Sequence, residues 1–166
     1  AIQLAGRLLH YMNNNFDYYI GNIESKGKEN IICKDVKLTL FVKPDDVERV
    51  VNGLNVYKSI FENEYSLTDT LVMKVEMAGE KTGVEVFPKS LNERLTSTIL
   101  LIPNGVMDFS KKIEGLVETS MNMGVIEYVD GRLHLLSSVR SSVSTRKAFI
   151  KDKLQIIGKH YCDEVQ

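Results

Sequence analysis

The sequence lacks several features that define common protein classes. Its 166 residues include no tryptophan, three prolines and two cysteines, and its 21 basic residues nearly balance 22 acidic ones. Proteins that bind nucleic acids or acidic membranes usually carry a basic excess. No apolar run approaches the roughly 20 residues that a membrane-spanning helix needs. We therefore expect no nucleic-acid partner and no membrane partner.

The two cysteines, Cys33 and Cys162, have neither the spacing of a zinc motif nor that of a redox motif. We interpret them as reduced thiols of a cytoplasmic protein, with a single disulfide as the alternative. No secretory signal is recognisable, and the first residues already have a helical pattern with no capping residue before Ala1. This beginning predicts a segment of a longer chain.

Apolar residues, 43% of the chain, are sufficient for one domain with its own core. They recur at helical spacing in some stretches and alternate with polar residues in others. Helices are predicted over residues 1–13, 44–61, 90–102 and 142–161, and strands over residues 16–24, 32–42, 71–77, 117–129 and 132–141. This order predicts a single α+β domain over residues 1–166, an antiparallel sheet of about four to five strands with helices packed on one face.

Local signals refine this prediction. Ser90 and Glu93 have the spacing of a capping box, and either Ser142 or Ser144 is placed to cap the last helix. Asp130-Gly131 predicts a two-residue hairpin turn. That turn places Val129 opposite Arg132, Glu127 opposite His134 and Met121 opposite Arg140, unless a β-bulge shifts the register.

Residue types and spacing indicate no catalytic chemistry by themselves. The three histidines, His10, His134 and His160, have no metal-ligand spacing, and we interpret them as structural or surface residues. The sequence contains neither a nucleophile motif nor a phosphate-binding glycine loop. Composition and spacing alone therefore predict only a soluble α+β domain.

One region carries a specific resemblance. The run G-L-V-E-T-S at residues 115–120, followed by Asn122, by Gly124 and Val125, and by R-S-S at residues 140–142, resembles the lid of the bacterial aminoacyl-histidine dipeptidases. These enzymes are Xaa-His, carnosine-cleaving members of the two-zinc metallopeptidase superfamily. Further segments that resemble the family in the same order lie at residues 1–7, 29–32 and 103–106. The chain departs from the family at Glu29, where the motif has arginine, and at Cys33, where it has proline.

The resemblance implies a ferredoxin-like lid with additions, which serves as a lid and dimerisation domain cut from a larger metallopeptidase. The family holds its two zinc ions with histidines and carboxylates of a separate catalytic domain, and those motifs are missing from this sequence. We therefore expect no catalytic residue, no metal ligand and no cofactor in this chain, and zinc in the parent catalytic domain. The implied partners are a second copy of the lid, the catalytic domain and a dipeptide substrate, and we expect the chain alone to be inactive.

Two substrate-binding residues follow from the resemblance, because Asn30 and Arg140 match the lid asparagine and lid arginine that hold the dipeptide. Arginine offers a planar fork of donors to a carboxylate, and an asparagine amide can bond a peptide group. From residue type alone, the simpler interpretations are a turn-forming asparagine and a solvated strand arginine. Glu118 and Asn122 also match the motif, and we assign them no chemical role.

A different class of function remains open at this point. Hairpins packed with helices also form free-standing ligand-binding or regulatory modules, and a fold does not choose among functions.

Overall fold

The computed structural model describes residues 1–28 and 30–165. Glu29, where the sequence departs from the family motif, lies outside the described residues. The helices are α1 (Ile2–Asn15), α2 (Val47–Tyr65, after a 3-10 turn at Pro44–Asp46), α3 (Lys89–Leu101) and α4 (Ser144–Tyr161). The strands are β1 (Tyr18–Lys26), β2 (Asp35–Val42), β3 (Gly105–Phe109), β4 (Val117–Val129) and β5 (Arg132–Ser141). The predicted α+β class is confirmed.

The strands form two antiparallel sheets rather than one. The first sheet pairs β1 with β2, and the second has the order β3-β4-β5. α1 and α3 pack against each other and against the first sheet, whereas α4 packs against β5 and α3. Fully buried side chains from both sheets and from α1 and α3 meet in one core: Leu9, Met12, Ile20, Ile23, Ile99, Met121 and Ile126. Burial of these apolar side chains supplies most of the driving force for folding.

The prediction of a strand over residues 71–77 is wrong. Burial alternates there as expected, since Leu71 and Met73 are half-buried while Val72 is 72% exposed, but the segment pairs with no strand of the described chain. Alternation determines which side chains face inward and does not supply a neighbouring strand. The fifth strand is instead the short β3. Its sequence does not alternate as that of a half-buried strand would, and its apolar residues Val106 and Phe109 are both exposed.

Both predicted helix caps are also wrong. α3 begins at Lys89, with Pro88 at the N-cap position, so Ser90 lies inside the first turn. α4 begins at Ser144 with Val143 at the N-cap position. Neither cap position makes a side-chain hydrogen bond, because neither Pro88 nor Val143 carries a polar side chain. Cys33 and Cys162 are free thiols, which rules out the alternative of a disulfide.

The β4-β5 hairpin has the predicted turn and a register that shifts along its length. Asp130 and Gly131 both have positive φ, 51° and 79°, as a two-residue turn requires. Val129 faces Arg132 and Glu127 faces His134, as predicted. A bulge between Met123 and Val125 then shifts the pairing by one residue. The predicted pairing of Met121 with Arg140 is therefore wrong, and Arg140 lies opposite Ser120.

Candidate functional site

The fold brings Asn30 and Arg140 into contact across a separation of 110 residues. Asn30 lies in the connection between β1 and β2, and Arg140 is the penultimate residue of β5. The Nη2 of Arg140 donates a hydrogen bond to the backbone carbonyl of Asn30, with 3.3 Å between the two heavy atoms. Both residues are exposed. The two residues that the sequence resemblance singled out thus share one patch of surface, which we call the Asn30–Arg140 site.

A polar junction joins the two sheets near the start of the connection that carries Asn30. The Ser25 hydroxyl, on β1, accepts a 2.8 Å hydrogen bond from the backbone N–H of Ile126 on β4. Two residues further on, a Cβ on Gly27 would lie 3.1 Å from the carbonyl oxygen of Gly124, which is tighter than nine in ten real Cβ contacts. The connection that carries Asn30 therefore leaves β1 in close contact with the bulged part of β4, and glycine at position 27 permits this approach.

A second side chain, that of Asn104, forms a hydrogen bond with the backbone of β4. The Oδ1 atom of Asn104, just before the start of β3, accepts a hydrogen bond from the backbone N–H of Met123 at 2.9 Å. Gly105, which follows Asn104, has φ of 97°, in the region that favours glycine. The segment at residues 103–106 is therefore structural here: it starts β3 and satisfies a backbone donor that no strand pairs.

The end of β5 is fixed by backbone and hydroxyl contacts. Thr119 faces Ser141 in the register, and their hydroxyl oxygens are 2.9 Å apart. The backbone N–H of Ser142 donates to the carbonyl of Glu118 at 3.1 Å, which extends the strand contact by one residue. The side chains of Glu118 and Asn122 are half-buried and make no hydrogen bond to other described residues, so the structure adds no chemical role for them.

The Asn30–Arg140 site has spare hydrogen-bonding capacity. A guanidinium carries five N–H donors, and the contact with Asn30 uses one of them. The side-chain amide of Asn30 makes no hydrogen bond to another described residue, so it keeps both its donors and its acceptor. The arrangement offers a positive, forked donor beside a neutral amide, which suits a ligand that carries a carboxylate next to a peptide group.

The site is an open surface. Two surface hollows, of about 360 and 520 Å³, lie along the end of α4 and between α1 and α3, and neither is lined by Asn30 or Arg140. An exposed pair binds a small ligand weakly, because specific small-molecule sites usually bury most of the ligand surface. A second surface is needed to enclose a ligand here.

The described residues do not form a zinc site. No group of three or more His, Cys, Asp or Glu side chains within residues 1–28 and 30–165 is arranged to hold a metal ion. His10, His134 and His160 lie on α1, β5 and α4 respectively. No helix in that part of the chain has the length and apolarity to cross a membrane.

Sequence reasoning did not find the hydrogen bonds that Ser25, Thr119 and Ser141 make. Ser25 lies in a polar stretch at the end of a strand, and its partner is 101 residues away. Thr119 and Ser141 are within the resembling motifs, but their contact depends on the shifted register that the bulge creates. A correct prediction of the bulge at Gly124 would have paired Thr119 with Ser141.

The chain is similar to parts of two known proteins. No protein-family model matches the chain. In sequence, the chain is 27% identical over 132 residues to the cytosol non-specific dipeptidase of Escherichia coli (strain K12), which is 78% of this chain and 27% of that protein. In structure, it matches aminoacylhistidine dipeptidase from Vibrio alginolyticus with a TM-score of 0.86 at 24% identity, over 97% of this chain and 33% of that one.

The chain thus spans about a quarter to a third of the length of the dipeptidases it matches. The resemblance inferred from its sequence motifs is confirmed by both matches: the chain is similar in sequence to part of one dipeptidase and shares its fold with about a third of another, an aminoacyl-histidine dipeptidase.

Proposed function

We propose that this chain is the lid and dimerisation domain of a cytoplasmic, zinc-dependent dipeptidase that cleaves Xaa-His dipeptides. In this proposal the lid contributes substrate-binding residues, and a separate catalytic domain holds two zinc ions and performs the hydrolysis. The names of the two matching proteins support a dipeptidase, and the partial coverage supports a domain that works with the rest of such a protein.

The observation that carries the proposal is the contact between Asn30 and Arg140. A dipeptide at neutral pH has a carboxylate at one end and a peptide carbonyl close to it. The free donors of Arg140 can bind that carboxylate in a two-pronged manner, and the Asn30 amide can donate to the carbonyl. Because the guanidinium lies 3.3 Å from the backbone carbonyl of Asn30, we propose that the Asn30 amide can turn toward the same small ligand.

The openness of the site supports the role of a lid. A dipeptide bound only at the Asn30–Arg140 site would remain largely in water, where charged hydrogen bonds contribute little. Closure of the lid over a catalytic domain would exclude water and strengthen these bonds, as in many enzymes whose loops or domains close on the substrate. The lid would then help to orient the peptide bond toward the metal centre.

Exposed apolar side chains support dimerisation through this domain. Val106, Phe109, Ile113 and Leu116, on β3 and the loop after it, are 48–59% exposed. Exposed apolar side chains that form one contiguous patch are typical of a surface that another protein covers, and we propose that these four form such a patch. We propose a second copy of the lid as that protein, in a two-fold arrangement that uses the same patch twice.

The substrate-binding role of Arg140 is tested by Arg140→Lys in the full-length dipeptidase. Lysine keeps the charge and loses the planar fork, so we expect a loss of about 1–3 kcal/mol, the range for hydrogen bonds to charged groups. At about 1.4 kcal/mol for each factor of ten, kcat/KM should fall roughly five- to 150-fold. The loss should appear in KM alone if the arginine binds the substrate and the transition state equally well.

Arg132→Lys is a matched control, because Arg132 lies at the other end of β5 and pairs with Glu164 at the exposed surface. This change should leave kcat/KM within about twofold of the parent value, as expected for a surface ion pair. If Arg140→Lys leaves both kcat/KM and the melting temperature unaltered, Arg140 is a solvated strand arginine and the proposed site is wrong. The sequence that flanks this chain in its gene gives an independent test: zinc-ligand motifs on both sides support the lid, and their absence supports a free-standing module.

A further inference from the structure

The hydroxyl groups of Thr119 on β4 and Ser141 on β5 form a pair next to Arg140 in the structure. Thr119 is buried, and Ser141 is half-buried. Thr119 is 1% exposed, and its Oγ1 lies 2.9 Å from Oγ of Ser141. Oγ of Ser141 also accepts the backbone N–H of Val143 at 3.1 Å and lies 3.1 Å from the carbonyl oxygen of Val143. Val143 is the residue at which the chain turns from β5 into α4.

Only one arrangement of protons satisfies all these contacts. A hydroxyl donates one hydrogen bond and accepts up to two. If Ser141 donates to the carbonyl of Val143, its oxygen accepts from the N–H of Val143 and from the Thr119 hydroxyl. Thr119 is then the donor, and Ser141 is fully bonded. The pair therefore ties the end of β5, through one side chain, to the buried part of β4 and to the start of α4.

Arg140 depends on this end of the strand. It precedes Ser141, so the two side chains leave the strand on opposite faces, Ser141 toward Thr119 and Arg140 toward Asn30. Among the described residues, Arg140 makes one side-chain hydrogen bond, the 3.3 Å contact with Asn30. The backbone at the end of β5 sets the point from which this side chain reaches Asn30, so a shift of that backbone changes where the guanidinium can reach.

We propose that Thr119 and Ser141 are positioning residues: their hydroxyl pair holds the end of β5 so that the guanidinium of Arg140 meets the carboxylate of the substrate. This inference rests on the proposed function, because it assumes that Arg140 binds a carboxylate. It assigns the buried threonine to substrate selection rather than to stability alone.

The test uses the full-length dipeptidase and two substrates, an Xaa-His dipeptide and its C-terminal amide, which lacks the carboxylate. The measured quantity is the ratio of kcat/KM for the acid to kcat/KM for the amide. Thr119→Val removes the hydroxyl at nearly constant volume and should lower this ratio about tenfold, the scale expected when a binding group is displaced by a fraction of an ångström to 1 Å. Thr119→Ser keeps the hydroxyl and should restore most of the ratio. Arg140→Lys serves as the reference for loss of the carboxylate contact.

The ratios measured for the variants decide between a positioning role and a purely structural role of Thr119. A lower ratio in Thr119→Val, with recovery in Thr119→Ser, supports the proposal, since a purely structural residue would reduce both rates together. If Arg140→Lys lowers the ratio and Thr119→Val does not, the positioning role is overturned while the substrate-binding role of Arg140 stands. If Arg140→Lys leaves the ratio unchanged, the proposed function fails at Arg140 and the positioning role fails with it.

If Thr119→Val does not fold, Ser141→Ala removes the other hydroxyl at a half-buried position and should lower the ratio in the same direction. An unchanged ratio in a folded Ser141→Ala protein would overturn the proposal. Ser59→Ala, an exposed serine on α2 that bonds only the carbonyl of Asn55 in its own helix, is the control and should keep the parent ratio.

Discussion

Ser25→Ala should destabilise the protein more than any surface serine substitution, because Ser25 satisfies a backbone donor in the core. Its hydroxyl accepts the N–H of Ile126 at 2.8 Å, and Ile126 is 0% exposed. Alanine leaves that N–H, at a fully buried residue, without its hydrogen-bond partner. A buried donor left unsatisfied costs about 1–3 kcal/mol, more than the net value of about 1 kcal/mol for an average hydrogen bond. We therefore expect a loss of about 2 kcal/mol in the free energy of unfolding.

Two other serines in the chain provide matched controls for the same chemical change. Ser59 is exposed and bonds the carbonyl of Asn55, which remains hydrogen-bonded within the helix, so Ser59→Ala should cost no more than about 0.5 kcal/mol. Ser137 has a buried hydroxyl with no hydrogen-bond partner among the described residues. Ser137→Ala removes this unsatisfied group, so it should be neutral or stabilising.

Urea unfolding of the three variants, followed by circular dichroism at constant m-value, measures the expected order. Ser25→Ala should have the lowest midpoint and Ser137→Ala the highest. For a domain of this size, the loss at Ser25 should lower the melting temperature by roughly 4–8 °C. If Ser25→Ala unfolds at the same urea concentration as Ser59→Ala, the hydroxyl does not support the junction between the sheets, and the explanation of how Asn30 is placed is wrong.

Two predictions concern the isolated chain. With zinc and an Xaa-His dipeptide it should show no turnover above the blank, because hydrolysis of this type needs a metal-activated water and the ligands are expected on another domain; turnover that a chelator abolishes would refute the assignment as a lid. The chain should also self-associate into a dimer, at least weakly, through its exposed apolar patch or an unpaired sheet edge. Light scattering that finds only monomer at high concentration would count against this interface.

The parts of the fold that the sequence predicted well depend on interactions between near neighbours. The turn at Asp130-Gly131 is one example, because both residues must adopt positive φ and the two-residue loop then sets the first pairs of the hairpin. The four helices are another, since apolar residues at helical spacing create a face that packs on the core. Helix ends were predicted less well, because Ser90 lies inside the first turn of α3 and Ser144 is the first residue of α4, so neither occupies the N-cap position.

Which segments become strands depends on the neighbouring strands with which they pair, and the local sequence does not reveal those neighbours. Residues 71–77 have the alternation of a strand and no neighbour in the described chain, whereas β3 has little alternation and pairs because the edge of β4 is available. The register shift at Gly124 is similar, because a bulge is a property of the pairing between β4 and β5 and not of one strand. Strand pairing is a property of two segments, and a pattern in one of them is insufficient.

By itself, the sequence determined the α+β class and the main hairpin and, through motif resemblance, predicted Asn30 and Arg140 as substrate-binding residues. Only the tertiary structure placed these two residues in contact, and only it showed the hydrogen bonds that Ser25, Thr119 and Ser141 make. The physical reason is that local backbone preferences act over a few residues, while a surface site is built from side chains separated by more than 100 residues in the chain. The distance between Asn30 and Arg140 depends on the close approach of the two sheets and on a one-residue bulge. Neither feature has a local signature in the sequence.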